Sequence, residues 1–437
     1  MIRIFNMPTR RRIAPELQMT LSSPDPSADP AALPAANRAT RTMIFISVAF
    51  SGLAMTVILP ILAPLIRELG LSESQGGWMV SIGSVAMVLM ANVWGPRSDR
   101  TGRKPVILAG FAGLFLAYIT HTLVVWLGLE GLLLGLPLFL LLILTRALVG
   151  MFIPAATAGA QAYMADITTP AQRSSGMALI SAANGVGMVV GPALAGTLAL
   201  AGLIWPMLLA TLLPLIAFLV VRRGLPHVEP RQQPAKARIS PLTPGLRNWL
   251  VVALMTMTSI VTLQIVAGFY FQDRLGVDTR TTARLLAGAL TIVGLVLVLT
   301  QTVQIRYLKW QSRRLAMAGA PLMAVGMLIM LNTQSVPAYY LAYAFFGLSG
   351  GLLFPAFMSG ASLSVDRHHQ GAAAGLVASA QGLGAILAPI VSTTLYEYDK
   401  ALPFTLLIGL MVIAWIAASM APAPAISPPP KAANPNA

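Results

Sequence analysis

A single cation stands inside a long apolar stretch of this chain, and its position points to a functional site. Arg146 begins the segment Arg-Ala-Leu-Val-Gly within residues 132–158, which carry no other charge. A charge in the middle of a bilayer costs roughly 3 kcal/mol or more, so a buried arginine is a candidate functional residue. The alternative is a structural arginine whose guanidinium is satisfied by backbone carbonyls.

Acids are missing from the middle of the apolar stretches. The fourteen Asp and Glu residues all lie at or beyond the ends of these stretches, which leaves His121 as the deepest titratable group. Histidine can carry a proton near neutral pH. The alternative, which we prefer, is that His121 is a polar residue near the outer interface.

Neutral polar side chains complete the set of candidates, namely Asn184, Gln264, Gln301 and Gln381. An unpaired cation in an acid-free cavity suits a neutral or anionic substrate as well as a cationic one. A metal-free chelator such as a siderophore, or an acidic metabolite, would fit such a cavity.

A second motif places one acid among four cations in a short segment bounded by glycines. Residues 95–104 read Gly-Pro-Arg-Ser-Asp-Arg-Thr-Gly-Arg-Lys. In a tight turn, an acid can oppose a helix N-terminus and guanidinium groups can pair with carboxylates. The alternative is an ordinary cluster of cytoplasmic charges. The candidate residues are Gly95, Asp99, Arg100, Gly102, Arg103 and Lys104.

A third motif concerns helix packing rather than charge. Residues 187–196 read Gly-Met-Val-Val-Gly-Pro-Ala-Leu-Ala-Gly. Glycines four residues apart lie on one helix face and permit close helix contact, while an internal proline bends the helix. The candidates are Gly187, Gly191, Pro192 and Gly196.

The composition of the chain shows which elements must carry these residues. The chain has 437 residues, of which 56% are hydrophobic and only 10% charged, and its mean hydropathy is +0.76. Soluble domains carry about 25% charged residues, so the composition excludes a soluble enzyme, a disordered protein and a coiled coil. The absence of cysteine excludes disulfides and thiolate metal sites, and the four histidines are too scattered for a metal site.

Twelve stretches are long and apolar enough to cross a bilayer, which takes roughly 20 residues each. The predicted spans are 43–66, 76–95, 105–127, 132–158, 174–200, 203–222, 248–271, 283–305, 313–332, 337–358, 372–395 and 402–420.

Loop charges orient these spans. With the N-terminus inside, 23 of the 29 Lys and Arg residues lie on the cytoplasmic side, five lie outside and Arg146 lies within a span. Cytoplasmic loops carry an excess of cations, so both termini are predicted to be cytoplasmic. The net charge of +15 therefore needs no nucleic-acid partner.

The two halves of the sequence resemble each other. GMFIPA at 150–155 pairs with GLLFPA at 351–356, and GVGMVVGP at 185–192 pairs with GLGAILAP at 382–389. Duplicated six-span units are typical of secondary transporters, whose substrate site lies between the halves. The predicted divisions are a cytoplasmic tail 1–42, a six-helix bundle 43–222, a cytoplasmic linker 223–247, a second bundle 248–420 and a disordered tail 421–437.

The three motifs resemble those of the major facilitator superfamily. Residues 95–104 match its G-x-x-x-D-R-x-G-R-K/R signature, and residues 146–150 match its R-x-x-x-G motif. Residues 187–196 look like the G-x-x-x-G-P-x-x-G-G motif of the twelve-span drug:proton antiporters, with Ala195 replacing one glycine.

The resemblance also implies roles for these residues. Asp99 and Arg103 would form a cytoplasmic gate, with Asp99 facing the start of span 11 at residues 370–372. Arg146 would take part in proton coupling, and the glycines of span 5 would set its packing.

We therefore predict an all-α membrane protein with twelve spans in two pseudo-symmetric bundles, a bacterial-type inner-membrane transporter. It is expected to export a small organic molecule by proton-coupled alternating access, as a monomer in the lipid bilayer, without a cofactor or metal. The sequence contains no G-x-x-x-x-G-K-S/T motif for ATP, which favours an ion gradient as the energy source. The alternatives are an importer of a small metabolite and, from another class, a polytopic membrane enzyme.

Overall fold

The computed structural model describes residues 36–168, 173–226 and 239–422, which are almost entirely helical. Most of the predicted tails, and residues 227–238 of the linker, lie outside the described residues. The chain divides into two units, Met1–Ala39 and Thr40–Ala437, and every contact discussed below lies within the second. The α-helices of the described ranges are α1 (Ala36–Thr56), α2 (Leu59–Glu68), α3 (Glu73–Thr101), α4 (Arg103–Leu129), α5 (Gly135–Asp166), α6 (Arg173–Ala199), α7 (Ile204–Gly224), α8 (Leu246–Leu275), α9 (Thr279–Val303), α10 (Ser312–Asn332), α11 (Val336–Leu363), α12 (Gln370–Tyr398) and α13 (Leu402–Ser419).

The predicted count of twelve membrane spans is confirmed. Twelve helical segments of the described ranges are long and apolar enough to cross a membrane. The helices α1 and α2 form the first span together, with a break before Pro60, whose nitrogen carries no hydrogen to donate. Spans 2 to 12 correspond to α3 to α13 in order, and a π-helix, Gln304–Leu308, extends α9.

Several predicted boundaries differ from the structure, and the largest difference is at the end of span 4, predicted at residue 158 and found at Asp166. The segment 95–104 was expected to form a loop, but α3 continues to Thr101 and α4 begins at Arg103. Gly102 alone makes the turn with a φ of 92°, a conformation that glycine adopts without steric cost. The first helix starts at Ala36, inside the predicted tail 1–42. A polar first turn can extend a helix beyond its apolar stretch at a membrane surface.

The first six spans and the last six meet through α3 with α12 and α6 with α9. We call the face at which span 1 begins and span 12 ends the terminal face, and the other the opposite face. Near the opposite face, a Cβ on Gly77 would overlap the Pro389 carbonyl, and Ser81 donates a 2.7 Å hydrogen bond to the Ile386 carbonyl. Near the terminal face, a Cβ on Gly371 would meet no atom within 4 Å. The two sets of spans are thus in close contact near the opposite face, whereas Gly371 near the terminal face borders free space.

Candidate functional site

Arg146 lies within α5 at a place where glycines bring α3 and α5 into backbone contact. Its side chain is half-buried, and a Cβ on Gly83 of α3 would lie 3.2 Å from the Arg146 Cγ atom. Gly150, one turn after the arginine, faces the Gly83 carbonyl so closely that a Cβ would overlap it. The spacing R-x-x-x-G therefore has a packing reason, since the glycine lets α3 and α5 close around the arginine.

Two polar side chains of α4 lie close to the Arg146 charge. Tyr118 and His121 both interact with this charge, and they are only 1% and 3% exposed. The His121 Nδ1 atom lies 2.8 Å from the Thr145 Oγ1 atom, which itself donates to the Leu141 carbonyl at 2.8 Å. The tautomer of a neutral His121 determines which of these two groups donates the hydrogen in their bond.

No carboxylate neutralises Arg146 within the part of the chain that the structure describes, where the ion pairs all involve other cations. His121, Arg146 and apolar side chains line a cavity of about 10 Å³, room for about one water molecule. A guanidinium without a carboxylate partner keeps its donors available for an anion or for the oxygen atoms of a neutral ligand.

The four amides expected to share this site lie on other helices. Asn184 on α6 is exposed, whereas Gln264 on α8, Gln301 on α9 and Gln381 on α12 are half-buried. Among the described residues, no hydrogen bond or ion pair joins any of them to Arg146 or His121. The structure thus brings Arg146 and His121 together and leaves the amides as separate polar positions.

Two glycines of the α6 motif pack against α1. A Cβ on Gly187 would lie 2.8 Å from the carbonyl carbon of Gly52, and one on Gly191 would overlap the Thr56 hydroxyl. The same hydroxyl lies 2.7 Å from the Gly187 carbonyl oxygen. These glycines therefore hold spans 1 and 5 together within the first six spans.

The last glycine of the motif makes a different contact. A Cβ on Gly196 would lie 2.6 Å from the Ala287 Cβ atom on α9, which belongs to the last six spans. Pro192 is buried between the two contact regions. The motif thus serves one contact within the first six spans and one contact across to the last six, near the opposite face.

The substitution Gly187→Leu is expected to destabilise the protein by about 1–3 kcal/mol, because the added side chain overfills a close helix contact. Thermal unfolding of the purified protein in detergent would measure this loss. Gly371→Leu is the matched control, since a Cβ there meets no atom within 4 Å. An equal loss in both variants would contradict the packing role of Gly187.

The acid–base motif at the terminal face is built around a buried arginine. Arg103 is 2% exposed, and its Nε atom donates to the Asp166 carboxylate at 2.7 Å while Nη1 donates to Asp99. Asp166, at the end of α5, was not predicted to belong to the motif. It follows Arg103 by 63 positions, so no local pattern could reveal the pairing.

The remaining members of the motif lie around this ion pair without joining it. Arg100 is exposed, Lys104 is half-buried, and neither forms an ion pair with a described residue. A Cβ on Gly95 would meet no atom within 4 Å. The expected approach of Asp99 to span 11 is not made in this structure, because its carboxylate pairs with Arg103 of the same half.

Replacing Asp166 with asparagine is expected to destabilise the protein by about 3 kcal/mol, since it leaves a buried guanidinium with a weakened partner. Asp99→Asn should cost less, because Asp99 is half exposed and Asp166 only 6%. The melting temperatures of the two variants, compared in the same detergent, measure this difference. A larger loss for Asp99→Asn would show that Asp166 is not the main partner.

An ion-pair cluster at the opposite face was not predicted from the sequence. Its charged members were assigned only to the outer ends of the spans. Arg67 of span 1 lies 2.7 Å from the Glu73 carboxylate and 2.8 Å from the Asp273 carboxylate. Glu73 belongs to the first six spans and Asp273 to span 7. The arginine therefore ties the two sets of spans together.

Side chains from span 11 and its following turn complete the cluster. The Tyr396 hydroxyl donates to Asp273 at 2.7 Å, and Lys400 lies 3.1 Å from the same carboxylate. Glu397 accepts a 2.8 Å hydrogen bond from the Ser74 backbone at the start of α3. We call Arg67, Glu73, Asp273, Tyr396 and Lys400 the opposite-face cluster.

The fold and the motifs together correspond to the architecture of a secondary transporter, because the described residues form twelve membrane spans whose first six and last six pack against each other. A sequence model of the family described as Major Facilitator Superfamily matches residues 44–389 and 304–436. The chain belongs to the major facilitator superfamily.

Its relatives include named resistance proteins. The class C tetracycline resistance protein of Escherichia coli is 28% identical over 368 residues, covering 80% of this chain and 88% of that protein. Multidrug resistance protein 1 of Bacillus subtilis (strain 168) is 24% identical, covering 86% of this chain and 96% of that protein. A bacterial homolog of the lysosomal transporter Spinster, solved inward-facing and unoccupied, superposes with a TM-score of 0.66 at 13% identity, covering 89% and 98% of the two chains. That structure supports the fold alone.

Proposed function

We propose that this multi-pass membrane protein is a proton-coupled exporter of small organic molecules in a bacterial-type inner membrane. Export is supported by relatives named for tetracycline and multidrug resistance, which align over most of the chain. It is also supported by the glycines of α6, which take the positions of the exporter motif and make close contacts. The excess of cations at the terminal face supports cytoplasmic termini.

With this orientation, an inward-facing state is supported by the opposite-face cluster, which joins the two sets of spans on the outer side, and by the free space beside Gly371 on the cytoplasmic side. Export by alternating access would require the cluster to break while Asp99 approaches span 11. The substrate would enter from the cytoplasm and leave on the outer side.

The observation that carries the proposed substrate class is the half-buried guanidinium of Arg146, which has no carboxylate partner among the described residues. Hydrogen bonds between charged groups gain strength where water is excluded. A neutral or anionic compound, such as an acidic metabolite or a metal-free chelator, would bind there through its oxygen atoms. His121 lies beside the same charge and is the candidate group for proton transfer.

Inside-out vesicles with an acidic interior would test this function. Addition of an exported compound should collapse the pH gradient in vesicles that contain the protein and not in empty ones. Collapse by anionic or neutral chelators supports the proposed class, whereas collapse by cationic drugs alone refutes it. The alternative, a proton-coupled importer, would be supported if substrate collapsed only a gradient that is acidic outside, in right-side-out vesicles.

A further inference from the structure

The turn between α9 and α10 carries an exposed basic and aromatic segment that none of the roles above uses. Residues 305–311 are all exposed, and their apolar members are exposed by 75%, 71%, 40% and 38% for Ile305, Tyr307, Leu308 and Trp310. The cations of the turn, also exposed, are Arg306, Lys309, Arg313 and Arg314. We call residues 304–314 the basic turn.

The backbone of the basic turn is held in one conformation by a buried glutamine. Gln304, 7% exposed, donates through Nε2 to the Trp310 carbonyl at 3.1 Å, and its own carbonyl accepts from the Lys309 backbone at 2.8 Å. The residues between form a π-helix, and Lys309 has a φ of 47°. This left-handed conformation is uncommon for a lysine and persists only where surrounding structure fixes it. The exposed side chains are therefore presented by an ordered turn.

The charge of the basic turn is not neutralised by the protein. Within the described ranges, none of its four cations forms an ion pair, and the sequence has no acid between Asp278 and Asp366. The corresponding segment of the first half differs, because Arg103 there is paired with two carboxylates. An anionic partner from outside the chain would match this uncompensated charge.

The position of the turn identifies the kind of partner. Span 8 ends at Leu308 and span 9 begins at Ser312, so the turn lies at the membrane boundary, where lipid headgroups are. Tyrosine and tryptophan favour this depth, and basic residues there attract anionic lipids. An acidic soluble protein would match the cations but not the exposed Ile305 and Leu308. We propose that the basic turn binds the headgroup of an anionic phospholipid, with its apolar side chains in the adjoining acyl region.

Lipid-dependent stability of the purified full-length protein tests this proposal and does not depend on transport. Phosphatidylglycerol added to the detergent solution should raise the melting temperature by several degrees more than phosphatidylcholine does, because a ligand that binds the folded state stabilises it. In Arg306→Gln/Lys309→Gln, this difference should fall by at least half. Native mass spectrometry should show correspondingly fewer retained phosphatidylglycerol molecules.

Three controls separate the basic turn from general charge. Arg222→Gln/Arg223→Gln removes two cations at the end of α7 and should keep the full lipid effect. Arg306→Lys/Lys309→Arg keeps the charge and should also retain the lipid effect. That result would show that the fold of the turn survives substitution. Inorganic phosphate should not reproduce the stabilisation. The proposal fails if both double glutamine variants lose the effect equally, if neither does, or if phosphatidylcholine stabilises as well as phosphatidylglycerol.

Discussion

Replacing Arg146 with glutamine should reduce transport of an anionic substrate by about tenfold to a hundredfold. A hydrogen bond to a charged group contributes about 1.5–3 kcal/mol, and each 1.4 kcal/mol corresponds to a factor of ten. Glutamine keeps a polar amide but is shorter than arginine and has no charge to attract an anion. Initial rates of substrate-driven collapse of the pH gradient, measured over a range of substrate concentrations, would give the change.

Arg146→Lys separates charge from geometry in the same experiment. Lysine keeps the charge but lacks the planar fork of the guanidinium, so its transport should lie between that of the wild type and that of Arg146→Gln. The melting temperature should change little in either variant, since the arginine has no ion-pair partner to leave behind among the described residues. Unchanged transport in Arg146→Gln would leave the arginine with only a structural role.

Asp273→Asn should shift the protein towards a conformation that is open at the opposite face. The change removes the ion pairs of Asp273 with Arg67 and Lys400, of which the first links the two sets of six spans. The side chains of Asp273 and Arg67 are 16% and 25% exposed, so the expected effect lies between that of a surface pair and a buried one, about 1–2 kcal/mol. That corresponds to roughly a tenfold change in the population of the two conformations.

Cysteine labelling can measure this shift, because the natural chain contains no cysteine. Ser81→Cys places a thiol at a position that is 1% exposed and faces α12 near the opposite face. Its reaction with a maleimide should be about tenfold faster when Asp273→Asn is added. The control is Asp278→Asn, which removes a charge from the same face but only from the cap of α9. If Ser81→Cys is labelled at the same rate with Asp273→Asn as with Asp278→Asn, the ion pairs of Asp273 do not hold the opposite face closed.

The sequence was sufficient to predict the membrane spans. Helices in lipid must satisfy their own backbone groups, so a run of about 20 apolar residues specifies a span almost regardless of its neighbours. This is why twelve spans could be placed from hydropathy, with boundaries within about five residues of the structure except at the ends of spans 2 and 4. The motifs around Asp99, Arg146 and Gly187 were also visible, because residue type and local spacing were enough to single them out.

Contacts between distant helices could not be predicted in this way. Arg103 with Asp166 is separated by 63 positions, and Arg67 with Asp273 by 206, so neither pair leaves a local pattern. In the sequence, Asp166 and Asp273 were only charges near span ends. The pairings depend on which helix ends meet, and packing of the whole bundle decides that.

The sequence by itself determined the membrane class, the spans, and the isolated charge of Arg146, because each follows from the cost of exposing polar groups to lipid. The tertiary structure alone decided which charges are paired, near which face the two sets of spans are in close contact, and which residues surround Arg146. These features arise from side chains on separate helices, and their energies exist only once the helices have packed.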